Sequence, residues 1–268
     1  MKNVKKMSIG MMVLFSVVYI YDVFGDGGVP KTYFVKPIEI VCDYPFNDTT
    51  KLAVTCRVWG LLKYFHPNVT AGKFDWDSIL IRSLSKIDKA KTPEQVNVEL
   101  MKMLQIAGEY EVSKDPAWND SLNMNVNLCW LDHSFINKPI RQALKEIASL
   151  TVEQPSHYIK PHEKADYVPY PDNEKAYDIE RISNYEYRLL ALFRYWNLIY
   201  YFYPYKYLMD QSWDVTLEEF IPQFMTAEDV PAYHQVIRKL ATRLNDGHAF
   251  TTVVPNYNQF NFKFITMI

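Results

Sequence analysis

Acid–base chemistry in this chain has one well-placed candidate, the triplet Asp246-Gly247-His248. It follows a run with helical spacing and precedes AFTTVV at 249–254, a stretch rich in β-branched residues. His248 therefore stands at a helix-to-strand junction, where side chains reach a domain edge. The carbonyl end of the helix and the Asp246 carboxylate both favour an imidazolium, which suits a group that must accept a proton. The plainer role for such a histidine is a helix cap or a satisfied interior group. The six histidines are scattered and no His/Cys cluster has zinc-ligand spacing, so neither a metal nor a cofactor is expected.

The elements that must position His248 belong to an internal repeat. Residues 57–77 read RVWGLLKYFHPNVTAGKFDWD and residues 194–214 read RYWNLIYYFYPYKYLMDQSWD. Arg57 matches Arg194, Trp59 Trp196, Tyr64 Tyr201, Phe65 Phe202, Pro67 Pro204, and Trp76-Asp77 Trp213-Asp214, at a constant offset of 137 (194 − 57). Repetition without a gap marks one structural unit used twice. The copies diverge where the chemistry would lie, because Glu109-Tyr110-Glu111 occupies the place of Asp246-Gly247-His248.

Each copy reads as three helices. In the first, Val54, Val58, Leu61, Leu62 and Phe65 form one amphipathic stripe that Pro67 stops, and Asp75 is placed to cap a second helix through Leu84. Thr92-Pro93-Glu94-Gln95 starts the third, with Val96, Leu100, Met103, Leu104 and Ala107 inward. In the second copy Ser183-x-x-Glu186 resembles a capping box, and Leu189, Leu192, Phe193, Trp196, Ile199 and Tyr200 point inward. Pro204 ends that helix and Ser212 is placed to cap the next. The last helix runs from about Pro231 to Leu244, with Gly247 where a left-handed cap is wanted. At this spacing the repeat's aromatics are core, and Arg57 and Arg194 are expected to pair with a carboxylate or cap a carbonyl.

Composition sets the bounds. The chain has 268 residues, 49% hydrophobic, 22% charged and 15% aromatic, with 20 Tyr but 8 Gly. That mixture suits packed helices and poorly serves a glycine-loop nucleotide fold. A net charge of −2 without a basic run points away from nucleic acid. Lys2, Lys5 and Lys6, an apolar stretch from Met7 to Tyr21, and Gly25, Gly27 and Gly28 have the order of a signal peptide. The apolar run is short for a bilayer span, so export without a retained membrane span is expected, to a periplasmic or cell-envelope location. Cys42, Cys56 and Cys129 lie far apart; one disulfide at most is available, and buried free thiols are the simpler expectation.

The blocks YEYRLLALFRYWNLIYYFYPYKYL and LATRLNDGHA, with Trp213-Asp214 and with WGLLKYFHP and DWD in the first copy, resemble the N-terminal region of exported bacterial tail-specific (C-terminal-processing) serine peptidases, in their tricorn-like branch. The resemblance covers roughly residues 50 to 255. It implies a helical region standing before a PDZ-like peptide-binding domain and an α/β domain that carries the nucleophilic Ser. It also implies that His248 is general base to that Ser in tricorn-like members, or structural where a Ser–Lys dyad does the work, with Asp246 a candidate to orient the ring. The sequence holds no GxSxG elbow, and no glycine loop for an oxyanion stands near a Ser. The chain is therefore expected to be inactive alone, truncated or split from its catalytic half, and to meet peptide or protein substrate through the missing domains.

The expected fold is mainly α (α+β): two tandem three-helix repeats, candidates for a pseudo-twofold relation, with short flanking strands. The segments are a signal peptide (1–25), an extended segment (26–49), the first repeat (50–108), an irregular excursion with one helix at 139–150 (109–183) and the second repeat (184–248). A strand leading toward a downstream domain follows (249–268), its apolar tail YNQFNFKFITMI lacking a partner strand of its own. A stand-alone helical interaction module is the alternative, and glycan binding through exposed aromatics has composition alone behind it.

Overall fold

The structure is a computed structural model and describes residues 17–18, 33–34, 44–110, 126–150, 156–162, 165–245 and 259–260. It divides into two units, 1–40 and 41–268. In the first, strands β1 (Val17–Val18) and β2 (Tyr33–Phe34) pair antiparallel, Val17 opposite Phe34.

The second unit is mainly helical, as its patterning predicts. Helix α1 (Asp48–Phe65) starts at Asn47, whose Oδ1 accepts from the N–H groups of Thr49 and Thr50 and so satisfies two of the helix's open donors. Its burial corrects the single-stripe reading. Every residue from Thr50 to Tyr64 is buried, because α1 is covered from several sides. Pro67 opens a one-turn helix α2 (Pro67–Thr70), and α3 (Trp76–Lys89) follows with Asp75 as its cap. Helix α4 (Pro93–Ala107) has Thr92 at its N-cap, while Gln95 accepts from the Lys91 N–H one residue earlier than a capping box requires.

The excursion supplies a 3₁₀ turn (Cys129–Asp132), helix α5 (Lys138–Ala148) and a hairpin of β3 (Ile159–His162) with β4 (Ala165–Pro171), bulged between Pro161 and His162. A short strand β5 (Tyr177–Asp178) pairs antiparallel with β6 (Gln259–Phe260), so part of the C-terminal tail does have a partner strand.

The second copy consists of α6 (Tyr185–Phe202), α7 (Trp213–Thr226) and α8 (Val230–Thr242). Ser212 and Asp229 cap α7 and α8 through their side chains. The Ser183 capping box does not form: the Ser183 hydroxyl donates back to the Glu180 carbonyl, and Asn184 takes the cap position. Gly247, expected as the left-handed residue after α8, lies outside the described residues. Asn245 adopts φ 53°, matching Gly108 at φ 78° in the first copy, because an Asn side chain tolerates that region.

Helix α1 lies at the centre and packs on α3, α4, α5, α6 and α7. The two copies meet along α1 and α6, which cross at equivalent residues. Gly60 faces Asn197, and a Cβ on Gly60 would stand 1.9 Å from Asn197 Oδ1. Asn197 donates to the carbonyls of Cys56 and Phe193, themselves a matched pair. Tyr64 and Tyr201 stack edge to face at 5.8 Å, and Tyr64–Phe202 and Phe65–Tyr201 both lie at 5.0 Å. Contacts of residue i with j′ and j with i′ define an isologous interface, here within one chain.

Candidate functional site

The repeated residues build two crossed clusters. Inside each copy the two tryptophans lock the first helix to the second. Trp59 Nε1 donates to the Trp76 carbonyl and Trp76 Nε1 to that of Trp59, both at 3.1 Å. Trp196 and Trp213 do the same at 2.7 and 3.0 Å. Buried indole N–H groups need such partners, and each pair uses the other's main chain. The aspartate after the second tryptophan then reaches the opposite copy. Arg57 Nη2 lies 2.9 Å from Asp214 Oδ1, and the Arg194 guanidinium bonds Asp77. The repeated Trp-Asp pair thus closes one copy with its indole and joins the two with its carboxylate.

A further matched pair was missed in the sequence because one copy has Lys where the other has Arg. Lys51 Nζ donates to the carbonyls of Asp88 and Ala90 at the end of α3. Arg188, its equivalent 137 residues on, donates to those of Phe224 and Met225 at the end of α7. Both cations stand on open helix C-terminal carbonyls, where the helix dipole favours them.

The surroundings of the two arginines differ. Arg194 Nε lies 2.9 Å from Glu174 Oε2, and Nη1 donates to the Lys175 carbonyl at 3.0 Å, both from the excursion. Glu174 also bonds Lys63 Nζ at 2.5 Å, so two cations and two carboxylates, Lys63, Arg194, Asp77 and Glu174, balance in one cluster. Burial pushes the Lys63 ammonium below its ordinary range against Glu174, and it stands over the rings of Tyr158 and Trp59 at 4.4 and 4.8 Å. Tyr177 donates to Asp77 Oδ2 at 3.0 Å.

Around Arg57 the second carboxylate, Glu218, stands at 4.0 Å, and Arg57 Nε and Nη1 have no hydrogen-bond partner. The guanidinium lies over Trp196 and Tyr44 at 5.6 and 5.9 Å, so aromatic faces take the place of oxygens. Burial raises the Glu218 carboxyl and pushes the Tyr44 phenol up to about 12. The Arg194 cluster is charge-matched, while the Arg57 cluster sets one cation against two part-exposed carboxylates; both join the copies, which suits structural pairing rather than turnover.

Of the residues expected to do chemistry, Asp246 and His248 lie outside the described residues, as do Gly247 and the stretch 249–254. The described chain leads to them, ending after α8 at Asn245. Among the described residues no group of His, Cys, Asp and Glu could hold a metal, and no helix is long and apolar enough to cross a membrane. An open groove of about 790 Å³ runs along α4, lined by Phe46, Val98, Met101, Phe135 and Asn137 among others. Cys56 is a buried free thiol raised by desolvation, whereas Cys129 is disulfide-bonded, which corrects the expectation of free thiols throughout. Cys42 lies outside the described residues.

Comparison of the chain with protein-family models, with curated proteins and with solved structures finds no match.

Proposed function

We propose that the chain is the N-terminal helical region of an exported serine-type peptidase of the tail-specific family, inactive alone, with its nucleophile on polypeptide outside residues 1–268. The observation that carries this reading is the pair of long aromatic blocks ending in LATRLNDGHA. Two further points support it. The blocks fold as matched helical units with the chain leading from Asn245 into the Asp-Gly-His triplet. A disulfide at Cys129 suits an oxidising compartment. In the complete enzyme Ser attacks the peptide carbonyl, His248 takes its proton and returns it to the leaving amine, and Asp246 orients the ring.

The test has two arms. The purified chain should leave a casein-type substrate uncut; turnover that persists to homogeneity refutes the placement of the nucleophile. Sequencing past the codon for Ile268 should then reveal a Ser-bearing strand–helix turn. In that complete enzyme His248→Ala should lower kcat/KM by about 10²–10⁴-fold, the share of a general base. An unchanged kcat/KM would assign the chemistry to a different base.

A second reading is a stand-alone helical interaction module. It draws on the fact that Arg57, Trp59, Tyr64, Trp76 and Asp77 and their counterparts are all engaged in packing and pairing. It expects a defined partner whose affinity His248→Ala leaves unchanged.

A further inference from the structure

Helices α4 and α8 hold equivalent places in the two copies. Thr92 matches Asp229 as N-cap, and Gly108 matches Asn245 as the left-handed residue at the other end. Their outward faces differ. Val98, Met101 and Ile106 on α4 stand where α8 has Gln235, Arg238 and Arg243. Val98 is 53% exposed and Ile106 43%. The duplicated unit supplies its own control here, because equivalent positions on equivalent helices are polar in one copy and apolar in the other. Apolar side chains grouped on one exposed face mark an interaction site, while single exposed residues do not.

The face has the form that receives another helix. Glu94, Val98 and Lys102 lie four residues apart along one ridge of α4, and Asn97, Met101 and Gln105 along the next. Both rows line the groove of about 790 Å³. Phe46 and Phe135, edge to face at 5.4 Å, line it too and tie it to the body of the molecule. Side-chain rows at this spacing are the ones that helices interlock when they pack ridge into groove.

The charges on the first ridge identify the occupant. Glu94 and Lys102 stand four residues to either side of Val98. Two such ridges laid antiparallel about a twofold axis at Val98 put the Glu94 of each chain against the Lys102 of the other. One patch then satisfies itself, as an isologous contact requires. Lys102 also bonds Glu99 of its own helix at 2.6 Å, and its side chain stays 48% exposed and within reach of a second carboxylate. The equivalent ridge of α8, Pro231–Gln235–Lys239–Arg243, has two cations and no acid, so it offers no such pairing. We propose that the α4 face is where two copies of this chain meet, antiparallel through the Glu94–Val98–Lys102 ridge. The contact goes beyond the peptidase reading and does not depend on it. One 15-residue helix with its flanking wall lies at the small end of interface sizes, so the dimer is weak and concentration-dependent.

Sedimentation equilibrium of the whole chain reads the association directly, and dimer should appear as protein concentration rises. Val98→Gln, which brings in the residue of the second copy, should weaken association at least about tenfold while leaving the circular dichroism unchanged. The charges give the sharper arm. At concentrations where the unaltered chain dimerises, Glu94→Lys and Lys102→Glu should each stay monomeric alone. An equal mixture of the two should dimerise, because only the mixed pair restores both contacts. Self-association that ignores these changes, or single variants that fail to associate when mixed, overturns the proposal. So does a chain that stays monomeric up to about 1 mM, whose α4 face then belongs to the helix of a different protein.

Discussion

Arg57 and Arg194 occupy the same position in two copies of one unit, and each reaches the aspartate of the other copy. Around Arg194 the excursion adds Glu174 and the Lys175 carbonyl, and Lys63 completes a balanced cluster. Around Arg57 a carboxylate at 4.0 Å and two aromatic faces stand in that place, and two guanidinium nitrogens go unbonded. Duplication therefore supplies the crossing pair, and the inserted segment decides how completely each pair is sealed. The asymmetry lies in what surrounds the repeat rather than in the repeat itself.

The largest expected effect tests that difference. Arg194→Met should cost about 3–5 kcal/mol in denaturant unfolding, because it leaves the Asp77 carboxylate buried without its cation and Glu174 with Lys63 alone. Arg57→Met should cost less by about 1 kcal/mol or more, since Asp214 and Glu218 keep side-chain exposures of 19% and 23% and can be hydrated. Equal costs would mean that the excursion seals nothing.

A smaller effect probes the crossing point. Gly60→Ala should destabilise by about 1–3 kcal/mol through overpacking against Asn197, whose amide is held by two carbonyls. Exchanging the partners, Gly60→Asn with Asn197→Gly, should recover part of that loss, because the crossing is made by equivalent positions. A double exchange no better than the single change would break the two-fold description.

The smallest effect compares His66, in the turn after α1, with its counterpart Tyr203. Burial holds the His66 imidazole below its ordinary pKa, with Nε2 3.2 Å from the Gly108 carbonyl. A histidine depressed in the folded state binds fewer protons there than when unfolded, so stability falls as pH drops below about 6.5. The decline assigned to His66 between pH 7 and 5 should disappear in His66→Gln, read from denaturant midpoints across that range. The second copy has Tyr203 at this place and contributes no such slope.

Much of this was legible because the repeat has no gap. The offset alone matches the residues that take equivalent places in the two copies, and Asp75, Thr92 and Ser212 announce their helices by residue type. Partner choice was not legible: Asp77 and Asp214 exchange copies, which no local pattern records. The excursion hid its role for a related reason. Glu174 and Tyr177 act through contacts a hundred or more residues away in sequence, with Lys63 and Asp77. A left-handed residue after the last helix is found at Asn245, whose type signals it less strongly than a glycine does, while Gly247 lies outside the described residues. The catalytic assignment rests on sequence throughout, since Asp246 and His248 fall outside the described residues.

The crossed arginines also set a timetable for the growing chain. Arg57 must wait 157 residues for Asp214, roughly ten to thirty seconds at ordinary rates of synthesis. Until then Arg57 lacks its counter-charge, although the Trp59–Trp76 lock within the first copy is complete much earlier in the chain. The contact that joins the copies can therefore form only after those that close the first copy have been synthesised.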